Sequence, residues 1–138
     1  AGVKDATGDL KRLDQTIKKL GPEFIQLTGE DGLAFEFNKR GGVGIISVTA
    51  NIAPKLCSEM QTLSQSKNED DIKKAELIDK NLQPLHKALF IESNPAPVKY
   101  AAKVLGLCSD EIRLPLVKIQ KKTEDQVNKA LSIAKLVN

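Results

Sequence analysis

The chain predicts an α/β protein built of βα units with a helical extension behind them, and three observations carry that expectation. Short apolar, β-branched runs recur about every 20 residues with helical segments between them, the pattern of parallel strands joined by crossovers. From about Asn68 onward the alternation stops and only helical periodicity remains. A complete (β/α)8 barrel takes about 250 residues, whereas this chain has 138, so it holds fewer than half of the units plus extra helices. The expected organisation is a partial (β/α) barrel over residues 1–65 and a C-terminal helical region over 66–138.

Each element has a local reason. Ala1–Lys4 is the stub of a first strand, and the small-residue turn after it delivers Asp9 as the cap of a helix reaching about Leu20. Leu10, Leu13, Ile17 and Leu20 stand at helical spacing, and Gly21-Pro22 closes the helix. Phe24–Thr28 reads as a short buried strand, residues 29–32 as its exit loop and Leu33–Lys39 as a short helix ended by Gly41-Gly42. Val43–Val48 is a third strand, leading through Thr49-Ala50-Asn51 into a helix with Pro54 in its first turn. Further on, Asn68 caps a helix whose first turn, Glu69-Asp70-Asp71, suits the helix dipole. Pro84 removes a backbone donor inside that segment and predicts a kink or break about a turn earlier. Asn94-Pro95-Ala96-Pro97 forces an extended turn before a helix over Val98–Leu105 that Gly106 closes. Thr123-Glu124-Asp125-Gln126 is a capping box for a last helix with Val127, Ala130, Leu131 and Ala134 on its inner face.

Composition removes several function classes. With 21 basic and 18 acidic residues, one Tyr, four Phe and no Trp, the chain offers no basic surface interleaved with stacking aromatics, so nucleic acid is not an expected partner. Cys57 and Cys108 fit neither a metal spacing nor a disulfide framework and read as reduced, packed thiols. Neither an apolar run long enough for a membrane span nor a signal peptide is visible, which makes the cytoplasm the expected location. His86 is the sole histidine, so no His-based triad or His metal cluster can form, and it is expected to pack or hydrogen-bond on a helix. Glu30 and Asp31 are neighbours whose side chains face apart, which favours solvation or loop capping over a shared-proton pair. Gly41-Gly42-Val43-Gly44 enters a strand rather than a helix, the wrong order for a phosphate cradle. Neither a metal nor a cofactor is called for.

One position points to chemistry. In Gly2-Val3-Lys4-Asp5-Ala6-Thr7-Gly8-Asp9 a lone lysine ends a short apolar run just before a turn and a helix start, the place of a Schiff-base lysine in a barrel. That stretch, with Leu-Thr-Gly-Glu-Asp (27–31), Gly-Val-Gly-Ile-Ile-Ser-Val-Thr-Ala-Asn (42–51), Pro-Leu-His-Lys-Ala-Leu-Phe (84–90), Asn-Pro-Ala-Pro-Val-Lys (94–99) and Arg-Leu-Pro-Leu (113–116), resembles the C-terminal half of the bacterial dihydrodipicolinate synthases in order and in spacing. The likeness covers essentially the whole chain. It implies the C-terminal part of a TIM (β/α)8 barrel, its last three βα units plus the family's C-terminal helical extension.

The resemblance also implies a reaction and residues. Members of that family condense pyruvate with L-aspartate semialdehyde in lysine (diaminopimelate) biosynthesis. A lysine amine attacks the keto carbon, the protonated imine serves as electron sink, and loss of a methyl proton gives an enamine that attacks the aldehyde. Lys4 matches the Schiff-base lysine. Gly29 and Ile46 match residues lining the pyruvate pocket, the glycine by letting backbone approach the ligand and the isoleucine through its carbonyl and an apolar wall. Ser47, Thr49 and Asn51 lie at the same rim, and Ser47 and Asn51 are expected to cap the following helix. The family's carboxylate-binding threonines, tyrosine relay and substrate arginine belong to its N-terminal half and have no counterpart here. The expected partners are therefore pyruvate, L-aspartate semialdehyde, the missing N-terminal half and, from the family's tetramers, further copies of the chain, while the isolated chain is expected to be inactive. Another pyruvate-dependent Schiff-base aldolase, such as an N-acetylneuraminate lyase relative, is the alternative enzyme, against which residues 47–51 and 94–99 argue. A catalytically inactive fragment acting only by association is the alternative outside the enzymes.

Overall fold

A computed structural model describes residues 1–137. Strand β1 (Gly2–Asp5) ends where the Asp5 carboxylate turns back to accept from Arg12 Nε at 2.6 Å and from the Thr7 hydroxyl and N–H at 2.6 and 2.7 Å. These donors, the Arg12 hydrogen bond first, hold the Asp5 carboxyl at about 2. Asp9 then caps α1 (Leu10–Leu20) by accepting from the Lys11 N–H at 2.9 Å, and Gly21, at φ 84°, closes that helix. There follow β2 (Ile25–Thr28), a 3-10 turn (Asp31–Leu33), α2 (Ala34–Lys39), β3 (Gly44–Ile45), a second 3-10 turn (Thr49–Asn51) and α3 (Pro54–Ser64) with its proline at the first helical position. Helices α4 (Glu69–Ala88), α5 (Ala96–Val104) and α6 (Lys121–Ile133) complete the order.

The three strands form one parallel sheet in the order β1-β2-β3, with Lys4 beside Leu27 and Leu27 beside Gly44. Parallel neighbours linked by helices are the βα repeat that the spacing predicts. Side chains alternate across this sheet. Gln26 and Thr28 are buried, whereas Ile25 and Ile46 are 51% and 56% exposed and Lys4 is exposed beside them. The face carrying Lys4, Ile25, Leu27, Gly29 and Ile46 is therefore open, and its apolar side chains meet solvent.

Several expectations are corrected by packing. The third strand spans two residues rather than Val43–Val48. The Val43 and Ile46 N–H groups still bond the Gln26 and Thr28 carbonyls at 3.0 and 2.9 Å, but Ser47 then turns away and the chain winds into the 3-10 turn. Pro84 does not break α4, which runs unbroken over Glu69–Ala88. A proline inside a helix costs about 3 kcal/mol, and complete burial of Leu82, Leu85 and Leu89 at about 1.5–3 kcal/mol each outweighs it. The last helix starts at Lys121, not after a Thr123 cap. Thr123 is buried, its N–H donates to the Gln120 carbonyl at 2.9 Å, and Lys121 pairs with Asp125 and Glu124 at 3.0 and 3.3 Å. Lys121 and Lys122 thus lie in the first helical turn. Of the two thiols only Cys57 is packed; Cys108 is exposed.

The chain divides into two compact units. One comprises Ala1–Ser47 and Leu56–Asp79 and contains the sheet. Within it Ala34, Phe35, Met60 and Ala75 form a core onto which Ile45, Leu63, Ile72 and Ile78 pack. The other comprises Val48–Lys55 and the described residues from Lys80 on. There α5 packs on α6, Val127 and Leu131 are fully buried, and Asn128 Nδ2 donates to the Tyr100 hydroxyl at 3.1 Å. Its polar core pair is Thr49 and His86, whose Oγ1 and Nδ1 stand 2.7 Å apart. No helix among the described residues is long and apolar enough to cross a membrane.

Candidate functional site

The sheet register determines where the singled-out residues fall. Lys4, Leu27 and Gly44 occupy one cross-strand row, and Gly29 and Ile46 lie two residues further along their own strands on the same face. All three candidates, Lys4, Gly29 and Ile46, therefore stand at the C-terminal ends of adjacent parallel strands, on the open side. The ends are stitched together by backbone. The Gly29 N–H donates to the Asp5 carbonyl at 2.7 Å, and the Ile46 N–H to the Thr28 carbonyl at 2.9 Å.

Lys4 lies directly over Gly29. A Cβ built at position 29 would overlap Lys4 Cε, stand 2.7 Å from Ala6 Cβ and 3.1 Å from Lys4 Nζ. No larger residue leaves the lysine where it is, so glycine at 29 is required by close approach. Lys4 is exposed on that open face.

Sequence reasoning missed what joins the two loops carrying Gly29 and Ile46. Asp31, only 2% exposed, accepts a short hydrogen bond from the Ser47 hydroxyl. Beside them lies the buried Cys57 thiol on α3, close to Ser47. Burial, then the Asp31 charge, pushes that thiol up to about 11, so it is a protonated packing group and not a nucleophile. Glu30 behaves as the loop-capping expectation has it, its carboxylate accepting from the Gly32 N–H at 3.3 Å, while Asp31 is buried and bonded across to the next strand's exit. The three rim residues have partners of other kinds. Ser47 meets Asp31, Thr49 meets His86, and the Asn51 amide donates to the Val48 carbonyl at 3.0 Å. A signal was present in the run of small polar residues after a strand. Their partners lie 16 and 37 positions away, beyond the reach of local pattern.

The family model described as the dihydrodipicolinate synthetase family matches residues 1–134. The chain belongs to that family. It is 61% identical over 136 residues to the 4-hydroxy-tetrahydrodipicolinate synthase of Pelagibacter ubique, covering 99% of this chain and 46% of that protein. To the enzyme of the same name from Parvibaculum lavamentivorans it is 52% identical, with the same coverage. Among solved structures it superposes on dihydrodipicolinate synthase from Aquifex aeolicus with a TM-score of 0.90 at 34% identity, over 99% of this chain and 45% of that one. It also superposes on the chloride-inhibited dihydrodipicolinate synthase from Acinetobacter baumannii complexed with pyruvate, with a TM-score of 0.91 at 39% identity, over 99% and 46%. The chain thus spans about half the length of the relatives it matches. Its three βα units are part of the family's (β/α)8 barrel, and the helices behind them are its C-terminal extension.

Proposed function

We propose that this chain is the Schiff-base-bearing part of an enzyme that condenses pyruvate with L-aspartate semialdehyde in lysine biosynthesis. The observation that carries the reading is the position of Lys4, at the end of β1 and packed over Gly29 on the barrel-interior face. Its amine adds to the keto carbon of pyruvate and water leaves, giving an imine. The protonated imine takes up the electron pair when a methyl proton departs, and the enamine so formed attacks the aldehyde carbon. Gly29 admits the ligand close to the backbone, and Ile46 supplies a carbonyl and an apolar wall at the same rim.

The remaining half of the barrel, in this reading, supplies what these residues lack: a wall that covers the amine and excludes water, a clamp for the pyruvate carboxylate and a proton relay. This chain alone is then inactive. Support comes from family membership, from the pyruvate complex of the Acinetobacter baumannii relative and from the exposure of Lys4. The test is borohydride reduction in the presence of pyruvate, using the chain assembled with its N-terminal half. A covalent adduct is expected on Lys4, and Lys4→Ala should abolish trapping. An adduct on another lysine with Lys4 unmodified would overturn the assignment.

A further inference from the structure

The residues already assigned reach the substrate directly; what keeps two of them in place is a separate matter. Gly29 and Ile46 sit on loops leaving different strands, whose ends are joined by the Ile46 N–H donating to the Thr28 carbonyl. A side-chain link joins the two loops further along. Asp31, two residues after Gly29, receives the hydroxyl of Ser47, the residue next to Ile46. Asp31 is 2% exposed, so this bond is shielded from competing water, and a buried polar group left without its partner is costly. The buried thiol of Cys57 backs the pair from α3, fixing it to a helix rather than leaving it as a bridge between two loops.

We infer that Asp31 and Ser47 are positioning residues that set the spacing between Gly29 and Ile46, and with it the seat for the α-keto acid above Lys4. The inference rests on the condensing-enzyme reading and adds to it the group that shapes the first substrate's subsite. Once the keto acid is bound covalently through the lysine, its placement no longer depends on that seat to the same extent. Loss of the strap therefore weighs on capture of the first substrate more than on attack at the second.

In a double-displacement reaction these steps are read separately, as kcat/KM for pyruvate and kcat/KM for the aldehyde. In the chain assembled with its N-terminal half, Ser47→Ala and Asp31→Ala are expected to lower kcat/KM for pyruvate about tenfold or more, because small misplacements of binding groups carry costs up to about a hundredfold. The aldehyde constant should stay within about twofold. Ser47→Thr keeps the hydroxyl and should restore the pyruvate constant. If both constants fall in step, activity is following the folded fraction and the strap has no positioning role. Parent-like kinetics in Ser47→Ala would also overturn it. The unmutated assembly is trapped with borohydride first: absence of an adduct there sinks the condensing-enzyme reading, whereas an adduct with unselective variants sinks only the strap.

Discussion

Lys4 Nζ stands 3.1 Å from the point where any residue larger than glycine at position 29 would place its Cβ, and its Cε stands closer still. Two chain segments 25 positions apart are thus fitted to each other at the end of a parallel strand pair, where Asp5 and Thr28 are register partners and the Gly29 N–H bonds the Asp5 carbonyl. The fit makes the glycine a test of the lysine's role.

Gly29→Ala should swing the Lys4 side chain aside and push the two strand ends slightly apart, since the added methyl meets the flexible end of Lys4 and also Ala6 Cβ, which is fixed to the backbone. In the assembled protein the rate of borohydride trapping with pyruvate should fall by about tenfold to a hundredfold, in line with the cost of misplacing a reacting group. Circular dichroism should be unchanged. Trapping at the parent rate would show that Lys4 does not need its present position.

The isolated chain should show negligible condensation of pyruvate with L-aspartate semialdehyde, because positioning and proton transfer each commonly contribute factors of about a hundred or more. Mixing it with a separately made N-terminal half should restore turnover. Full activity from this chain alone would contradict the division of labour proposed above.

Association is expected of the chain on its own. β1 and β3 each have one strand neighbour among the described residues, and the face between them exposes Ile25 and Ile46. Unpaired edges beside uncovered apolar side chains favour pairing with another chain. Sedimentation at low micromolar concentration should show self-association that the N-terminal half suppresses. A stable monomer with protected amides throughout β2 would count against it.

Acid should loosen the turn between β1 and α1 in a defined window. The Asp5 carboxyl falls from an ordinary 3.8 to about 2, chiefly through Arg12 and then Thr7. A depressed carboxylate stabilises the fold fully above its unfolded value and loses that contribution as pH falls through the folded one. Asp5→Asn should therefore cost up to about 1 kcal/mol at neutral pH, the scale of a partly exposed ion pair. The difference from the parent should shrink between pH 3.8 and about 2. Urea titrations at pH 7 and pH 2.5 compare the two, and an equal gap at both would show that Arg12 does not hold the ionised form.

Local chemistry made much of this protein legible in its sequence. Asp9 announces a helix because its carboxylate can accept from the Lys11 N–H just ahead, and Gly21 ends that helix because it tolerates a positive φ. The place of Lys4 at the end of a strand was legible from the turn and helix start that follow it. Tertiary structure alone decided the rest, since it turned on partners distant in sequence. Burial of Leu82, Leu85 and Leu89 carries α4 through Pro84, and burial of Thr123 puts it inside α6 rather than at its cap. The ladder of β3 stops where Ser47 finds Asp31, and Thr49 finds His86 across 37 positions. Short-range hydrogen bonds and backbone preferences are written in neighbouring residues, whereas the burial of a carboxylate and the meeting of two loops exist only once the strands have been laid side by side.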